Sequence, residues 1–156
     1  MIDPDAVRRV EAALRALGHG GEVRHLATHV PTSAAAAQVL GCPIEAIANS
    51  LVFVADGAPV LVLASGGRKV DTKRLKAALG ARKVSMAAPD VVLAATGQHV
   101  GGVAPVGHPT PLRTLVDAAL GDHDVLWAGG GDELTMLSTN LPELLVMTGG
   151  ELFPTG

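Results

Sequence analysis

The residues most able to shape a reaction centre lie in "TGQHVGGVAPVGHPTPL" (96–112), which holds no carboxylate, no lysine and no arginine. Glycine lets a ligand come close to main-chain N–H and C=O groups, and proline holds a loop's shape at low entropic cost. The chemistry open to such a stretch is backbone hydrogen bonding to a closely held ligand. Three short loops share this character: "GGVAP" (101–105), "GHPTP" (107–111) and "AGGG" (128–131). Each alone reads equally well as a tight turn between strands. Three of them in a small chain favour a pocket walled by main chain, although spacing does not name its ligand.

Other constellations point away from common chemistries. There is no G-x-x-x-x-G-K-[ST] phosphate loop, "AGGGDEL" is not G-x-G-x-x-G, and no G-x-S-x-G elbow occurs. Cys42, the only cysteine, precedes Pro43 without a basic neighbour and reads as a small buried residue. His25 and His29 fall in a strand-like segment, where four residues span roughly 13 Å, too far for a shared zinc. Asp117, Asp122, Asp124 and Asp132 flank predicted strands as turn and cap residues.

The elements around these loops follow from caps and periodicity. Asp3, Pro4 and Gly18 bound an amphipathic helix whose Val7, Val10, Leu14 and Leu17 share one face. "EVRHLAT" reads as a strand, and Thr32 or Ser33 caps a helix ending at Gly41. "NSLVFVADGAPVLVLAS" is a hairpin turning at Asp56-Gly57. Asp71 caps "TKRLKAALG"; "RKVSMA" is a short strand and "APDVVLAATG" a helix. "RTLVD", "DVLWAG" and "ELTMLS" read as strands, "LPELLVMTG" as a last helix, and "ELFPTG" as a tail. The expected fold class is α/β of the α+β mixed kind, one domain over 1–156, with a mixed sheet.

Of the 156 residues 48% are hydrophobic but only 2% aromatic, with no Tyr, so Val, Leu and Ala must build the core. The same scarcity removes stacking platforms for single-stranded nucleic acid, and a formal charge of −3 argues against a broad phosphate footprint and against DNA. The charged opening "MIDPDAVRRVEAAL", the lone cysteine and the lack of a long apolar run predict a cytoplasmic protein that engages no membrane.

The order of these features resembles the YbaK/prolyl-tRNA-synthetase-associated editing-domain family, whose freestanding members are aminoacyl-tRNA deacylases. The resemblance runs from "TSAAAAQVLG" through "IANSLVFVADGAPVLVLASGGRKVDTKRLKAALGARKVSMAAPDVVLAATGQHVGGVAPVGHP" to Asp117, "AGGG" and "LPELLVMTGG". Its most specific piece is Gly-x-x-x-Pro, met by Gly101 to Pro105. It implies a barrel-like mixed sheet wrapped by helices and hydrolysis of the ester joining a wrong, small amino acid to the 3′ end of a tRNA. It implies no metal, no cofactor and no protein nucleophile, with the aminoacyl-tRNA acceptor end as partner and an aminoacyl-tRNA synthetase as a further candidate.

Carried onto this chain, Gly101, Gly102 and Pro105 shape a carbonyl-facing wall and Gly129 and Gly130 the opposite one. One position departs from the family pattern: "I-x-K-[ST]-L-V-F" reads "IANSLVF" here, so Asn49 stands where a functional lysine is expected. Asn49 is then either a substrate anchor, a surface residue before a strand, or the mark of a weakened site. Arg68, Lys69 and Lys73 either supply the missing charge or line a solvated helix start. His108, three residues beyond Pro105, is a candidate to orient water or accept a proton. Thr32 and Ser33 offer hydroxyls to substrate, or serve as helix caps.

Overall fold

The computed structural model describes residues 2–153. Five helices and eight strands follow in order: α1 (Pro4–Ala16), β1 (Val23–His25), α2 (Ser33–Leu40), β2 (Ile47–Ala55), β3 (Ala58–Ser65), α3 (Thr72–Leu79), β4 (Val84–Met86), α4 (Pro89–Thr96), β5 (Arg113–Asp117), β6 (Leu126–Gly129), β7 (Thr135–Thr139), α5 (Leu141–Thr148) and β8 (Glu151–Phe153). Short 3-10 turns precede β2 and follow β5.

Local chemistry explains most boundaries. The Asp3 carboxylate accepts the Ala6 N–H at 3.1 Å and Pro4 opens α1. Thr32 caps α2 through Ala35 N–H, and Asp71 caps α3 through Lys73 and Arg74 N–H. The hairpin turns through Asp56 at φ 48° and Gly57 at φ 86°, the pair of positive values that a tight two-residue turn needs. The Asp56 carboxylate also accepts the backbone N–H groups of Arg82 and Lys83, which hold its pKa below the usual range. That contact ties the hairpin tip to the entry of β4.

The sheet is mixed, as expected. It runs β1-β7-β6-β2-β3-β5-β8, with β4 paired to β2 as well. Among the described residues the pairing forms an open path ending at β1 and β8, with no pair closing the barrel-like sheet that the resemblance implies. β8 is a correction: "ELF" reads as tail, yet Leu115, Val116 and Asp117 align with Glu151, Leu152 and Phe153 in parallel. Only Phe153 of the three is buried, which is too short a pattern to announce a strand. Residues 154–156 of that tail lie outside the described residues.

Even-numbered residues of β2, Ala48 and Val52, enter the main core with Leu61, Leu63, Val116, Leu126 and Leu137, where α1, α4 and α5 supply Val10, Leu14, Val92 and Leu144. Odd-numbered residues face the other way: α2 covers Ile47 with Trp127 and Met136, and α3 places Leu75 against Phe53, Val62, Leu115 and Phe153. Leu17, expected on the buried face of α1, is 47% exposed, because the helix ends at Ala16. Asp117 is buried and accepts Ser65 N–H and Ala119 N–H, both at 2.9 Å, joining β3 to β5. Among the described residues no helix is long and apolar enough to cross a membrane.

Candidate functional site

The site originates in a break along β2. β3 pairs with β2 over its whole length, but the other edge is shared: β6 meets only Ile47 and Ala48, and β4 only Phe53 to Ala55. Residues 49–52 have no strand beside them there, an opening of roughly 13 Å. Successive residues turn their backbone groups to alternate edges. Ile47 C=O accepts Gly66 N–H on the β3 side, and Val52 C=O accepts Ala87 N–H on the other. Ser50 therefore turns its N–H and C=O into the opening.

A cavity of about 380 Å³ fills this break. Its lining includes Thr32 and Ser33 at the start of α2, Asn49, Ser50 and Leu51 of β2, Gly67, Val100, Gly101, Val103 and Gly129. Among the described residues none that lines it is ionisable. Two side-chain atoms among the described residues are buried without a hydrogen-bond partner, Ser33 Oγ and Ser50 Oγ, and both belong to this lining. Thr32 is already engaged as the cap of α2, whereas no described residue hydrogen-bonds the Asn49 amide. A neutral cavity with unpaired hydroxyls, an amide and a main-chain N–H can hold a polar group or a water by hydrogen bonds alone.

The loop from 97 to 112 forms one wall, and it is held from inside. Gln98 is fully buried; its Oε1 accepts Ala104 N–H at 2.6 Å and its Nε2 donates to Val106 C=O at 3.1 Å. Thr96 Oγ1 donates to Val92 C=O and accepts Gln98 N–H. One amide side chain thus satisfies a donor and an acceptor of the loop it sits in.

The glycines of the two loops meet back to back. A Cβ on Gly102 would lie 2.5 Å from Asp132 Cα, and one on Gly129 would lie 2.5 Å from Val103 O. Gly131 N–H donates to Gly102 C=O at 2.9 Å. The expected opposite walls are therefore one wall: without side chains between them, the "AGGG" strand end packs directly behind "GGVAP". Gly101 and Gly129 reach the cavity, while Gly102 and Gly130 lie outside its lining, Gly130 N–H bonding Thr135 C=O.

Pro105 and His108 lie elsewhere. Both line a smaller cavity of about 190 Å³ with Ala13, Leu17 and Leu112. Val103 to Val106 are buried, so the chain passes through the core before reaching His108. His108 Nε2 donates to Ala104 C=O at 2.8 Å, and burial holds its pKa below the usual histidine value against the opposing effect of that bond. A depressed folded pKa means that the unfolded chain takes the proton first. This contribution to stability is present above about pH 6.5 and is lost as pH falls toward the lower folded value. Wild type should therefore lose more Tm than His108→Asn between about pH 7.5 and 5.5; equal losses would remove His108 as the cause.

His25 and His29 each face one carboxylate, Glu11 at 3.6 Å and Glu133 at 3.2 Å. Burial raises the pKa of the Cys42 thiol, opposite to what a nucleophile needs. Sequence reasoning missed Ser50 and Gln98. Ser50 follows Asn49 directly, and an amide residue amid seven loop glycines and prolines was the available sign of Gln98.

Residues 27–146 match the family model described as the aminoacyl-tRNA editing domain. The chain is 38% identical over 94 residues to a proline–tRNA ligase of Nitratidesulfovibrio vulgaris, covering 60% of this chain but 16% of that one. The chain thus spans about a sixth of the length of that ligase. The Bacillus subtilis protein YwhH is 30% identical over 124 residues, covering 79% of this chain and 78% of that one. A crystal structure described as a candidate trans-editing enzyme for prolyl tRNA synthetase superposes with a TM-score of 0.90 at 34% identity, covering 99% of this chain and 98% of that one.

Proposed function

The chain belongs to the aminoacyl-tRNA editing-domain family, and we propose that it acts in trans as a deacylase, hydrolysing the ester of a small, wrongly attached amino acid on tRNA. The observation that carries this reading is the neutral cavity in the break of β2, where Ser33, Asn49 and Ser50 present polar groups without partners in the fold. Water adds to the ester carbonyl, the ester C–O bond breaks, and the products are the free amino acid and the 3′-hydroxyl of the tRNA. With no ionisable side chain among the described residues of the lining, proton movement falls to the water and to the hydroxyl neighbouring the ester on the terminal ribose. The protein orients the carbonyl through hydroxyl, amide and backbone N–H groups, a form of electrostatic preorganisation. A hydrolytic step separate from the first selection suits the task. Binding alone separates side chains differing by one methylene by only about 1–3 kcal/mol, so a second, hydrolytic sieve is needed.

Asn49 favours a second reading, a non-catalytic module that recognises an aminoacyl-tRNA end. An amide in place of the lysine of the resembling deacylases gives up a charge-assisted hydrogen bond, worth about 1.5–3 kcal/mol against 0.5–1.5 for a neutral one. Release of labelled alanine, serine or cysteine from mischarged proline tRNA separates the two. Wild type is expected to turn over one substrate clearly, and Asn49→Lys to raise that rate by about tenfold, the equivalent of ~1.4 kcal/mol. Turnover only in Asn49→Lys would favour the binding module. Silence in both would overturn the site.

A further inference from the structure

The chain's charge is distributed very unevenly. Seven of its 12 Lys and Arg lie within 68–83, against one of its 15 Asp and Glu, so this window carries +6 in a chain of net charge −3. All seven, Arg68, Lys69, Lys73, Arg74, Lys76, Arg82 and Lys83, are exposed. Arg74 pairs with Asp71 at 3.8 Å; the other six have no acidic partner among the described residues. Such a concentration of uncompensated charge is a surface field, not a set of local ion pairs.

The fold places this field beside the cavity. Gly67 lines the cavity, and Arg68 and Lys69 follow it directly. α3 comes next, packed on the same face of β2 that carries Asn49 and Leu51, with Leu51 against the cluster that holds Leu75. Arg82 and Lys83 lie at the hairpin tip, where Asp56 receives their backbone N–H groups, and Glu45, whose C=O accepts the Ser65 hydroxyl, is a second acid at the other end of the strip. From Asn49 to that tip β2 runs six residues, roughly 20 Å. A basic strip therefore leads away from the lip of the cavity along α3.

We infer that this strip is the docking surface for the phosphate backbone of the RNA whose 3′ end enters the cavity. The inference rests on the proposed function for the identity of the ligand, and on charge and placement for the surface. A membrane fits poorly: α3 has its apolar Leu75 buried, and none of the exposed large hydrophobic residues falls within 68–83. No aromatic residue lies in this window to stack on a base, so contacts are to phosphate and tolerate sequence. The overall negative charge, which argued against a broad phosphate footprint, is compatible with a narrow one: the remainder of the surface repels RNA and leaves the strip as the favoured approach.

The test is binding of an uncharged acceptor-stem RNA hairpin to the full chain, followed by fluorescence anisotropy between about 50 and 200 mM salt. Lys69→Glu/Lys73→Glu/Lys76→Glu reverses three exposed charges without touching the cap or the cavity lining. It is expected to weaken binding about tenfold or more and to make the log–log salt dependence shallower by about 2. Arg8→Glu/Arg15→Glu on α1 is the control and should change affinity much less. Equal loss in both variants, no binding by wild type, or equally effective competition by poly-glutamate would each overturn the inference. Turnover supplies a separate arm: the triple variant should raise KM for mischarged tRNA far more than it alters hydrolysis of an aminoacyl-adenosine ester. Strip-dependent RNA binding without any turnover would retain the surface and reject the deacylase. Turnover without strip dependence would do the reverse.

Discussion

Gln98→Ala is expected to lower kcat/KM for deacylation by about 100-fold and to lower the Tm by roughly 10 °C. The side chain is fully buried and spans the loop, holding Ala104 N–H on one side and Val106 C=O on the other. Truncation leaves both backbone groups without partners, at about 1–3 kcal/mol each, and opens a void where the amide sat. A net loss near 3 kcal/mol follows, and about 2–4 °C per kcal/mol applies to a chain of this length. The rate effect has a different origin. Val100, Gly101 and Val103 belong to both the loop and the cavity wall. A displacement of about 1 Å at such a wall costs on the order of 100-fold in rate. Gln98→Glu retains the acceptor but sets a buried, unpaired carboxylate against Val106 C=O, and should be no more stable than Gln98→Ala at neutral pH. A lower Tm with unchanged kcat/KM, measured where the variant remains folded, would separate the loop from the reaction.

Local signals in the sequence were strong where one residue settles one boundary. Asp3, Thr32 and Asp71 accept the N–H groups expected of helix caps, and Gly41, Gly80 and Gly97 end their helices in the left-handed conformation. Asp56 and Gly57 turn the hairpin where the pattern placed it. Neighbour relations were not legible. The apolar run around Asp56-Gly57 announces β2 as one arm of a hairpin, but the parallel partner of Ile47 is Trp127, far along the chain, and nothing local encodes that pairing. The break in the β2 edge is a product of such long-range pairing, so the setting of Ser50 was hidden although its identity was plain. The Gly/Pro loop shows the same limit from the other side. Gly101 and His108 are close in sequence but separated by a buried passage, and closeness along the chain did not carry over to the cavity. Asn49, Thr32, Ser33, Gly101 and Gly129, scattered over 98 residues, do converge on one cavity.

Ser33→Ala/Ser50→Ala is expected to reduce kcat/KM by about 100-fold while leaving the Tm unchanged or raising it. A buried hydroxyl without a protein partner costs the folded state about 1–3 kcal/mol unless water enters to meet it. Removing the two, on residues that line the cavity, relieves that cost, and alanine is also the better residue within α2 at position 33. The same hydroxyls are poised to gain partners when a substrate arrives. Two neutral hydrogen bonds at about 1.5 kcal/mol each amount to ~3 kcal/mol, the free-energy equivalent of roughly 100-fold. If they meet charge developing on the carbonyl oxygen, the loss falls on kcat; if they meet the amino-acid side chain, it falls on KM and relaxes selection among alanine, serine and cysteine. A fall in Tm with full activity would make both serines structural. Gln98 provides the contrast that gives this outcome its meaning: its amide is satisfied inside the fold, so truncation lowers stability and activity together. The serine hydroxyls have no partner inside the fold, so stability and activity should separate, as they do where a fold sacrifices stability to a binding site.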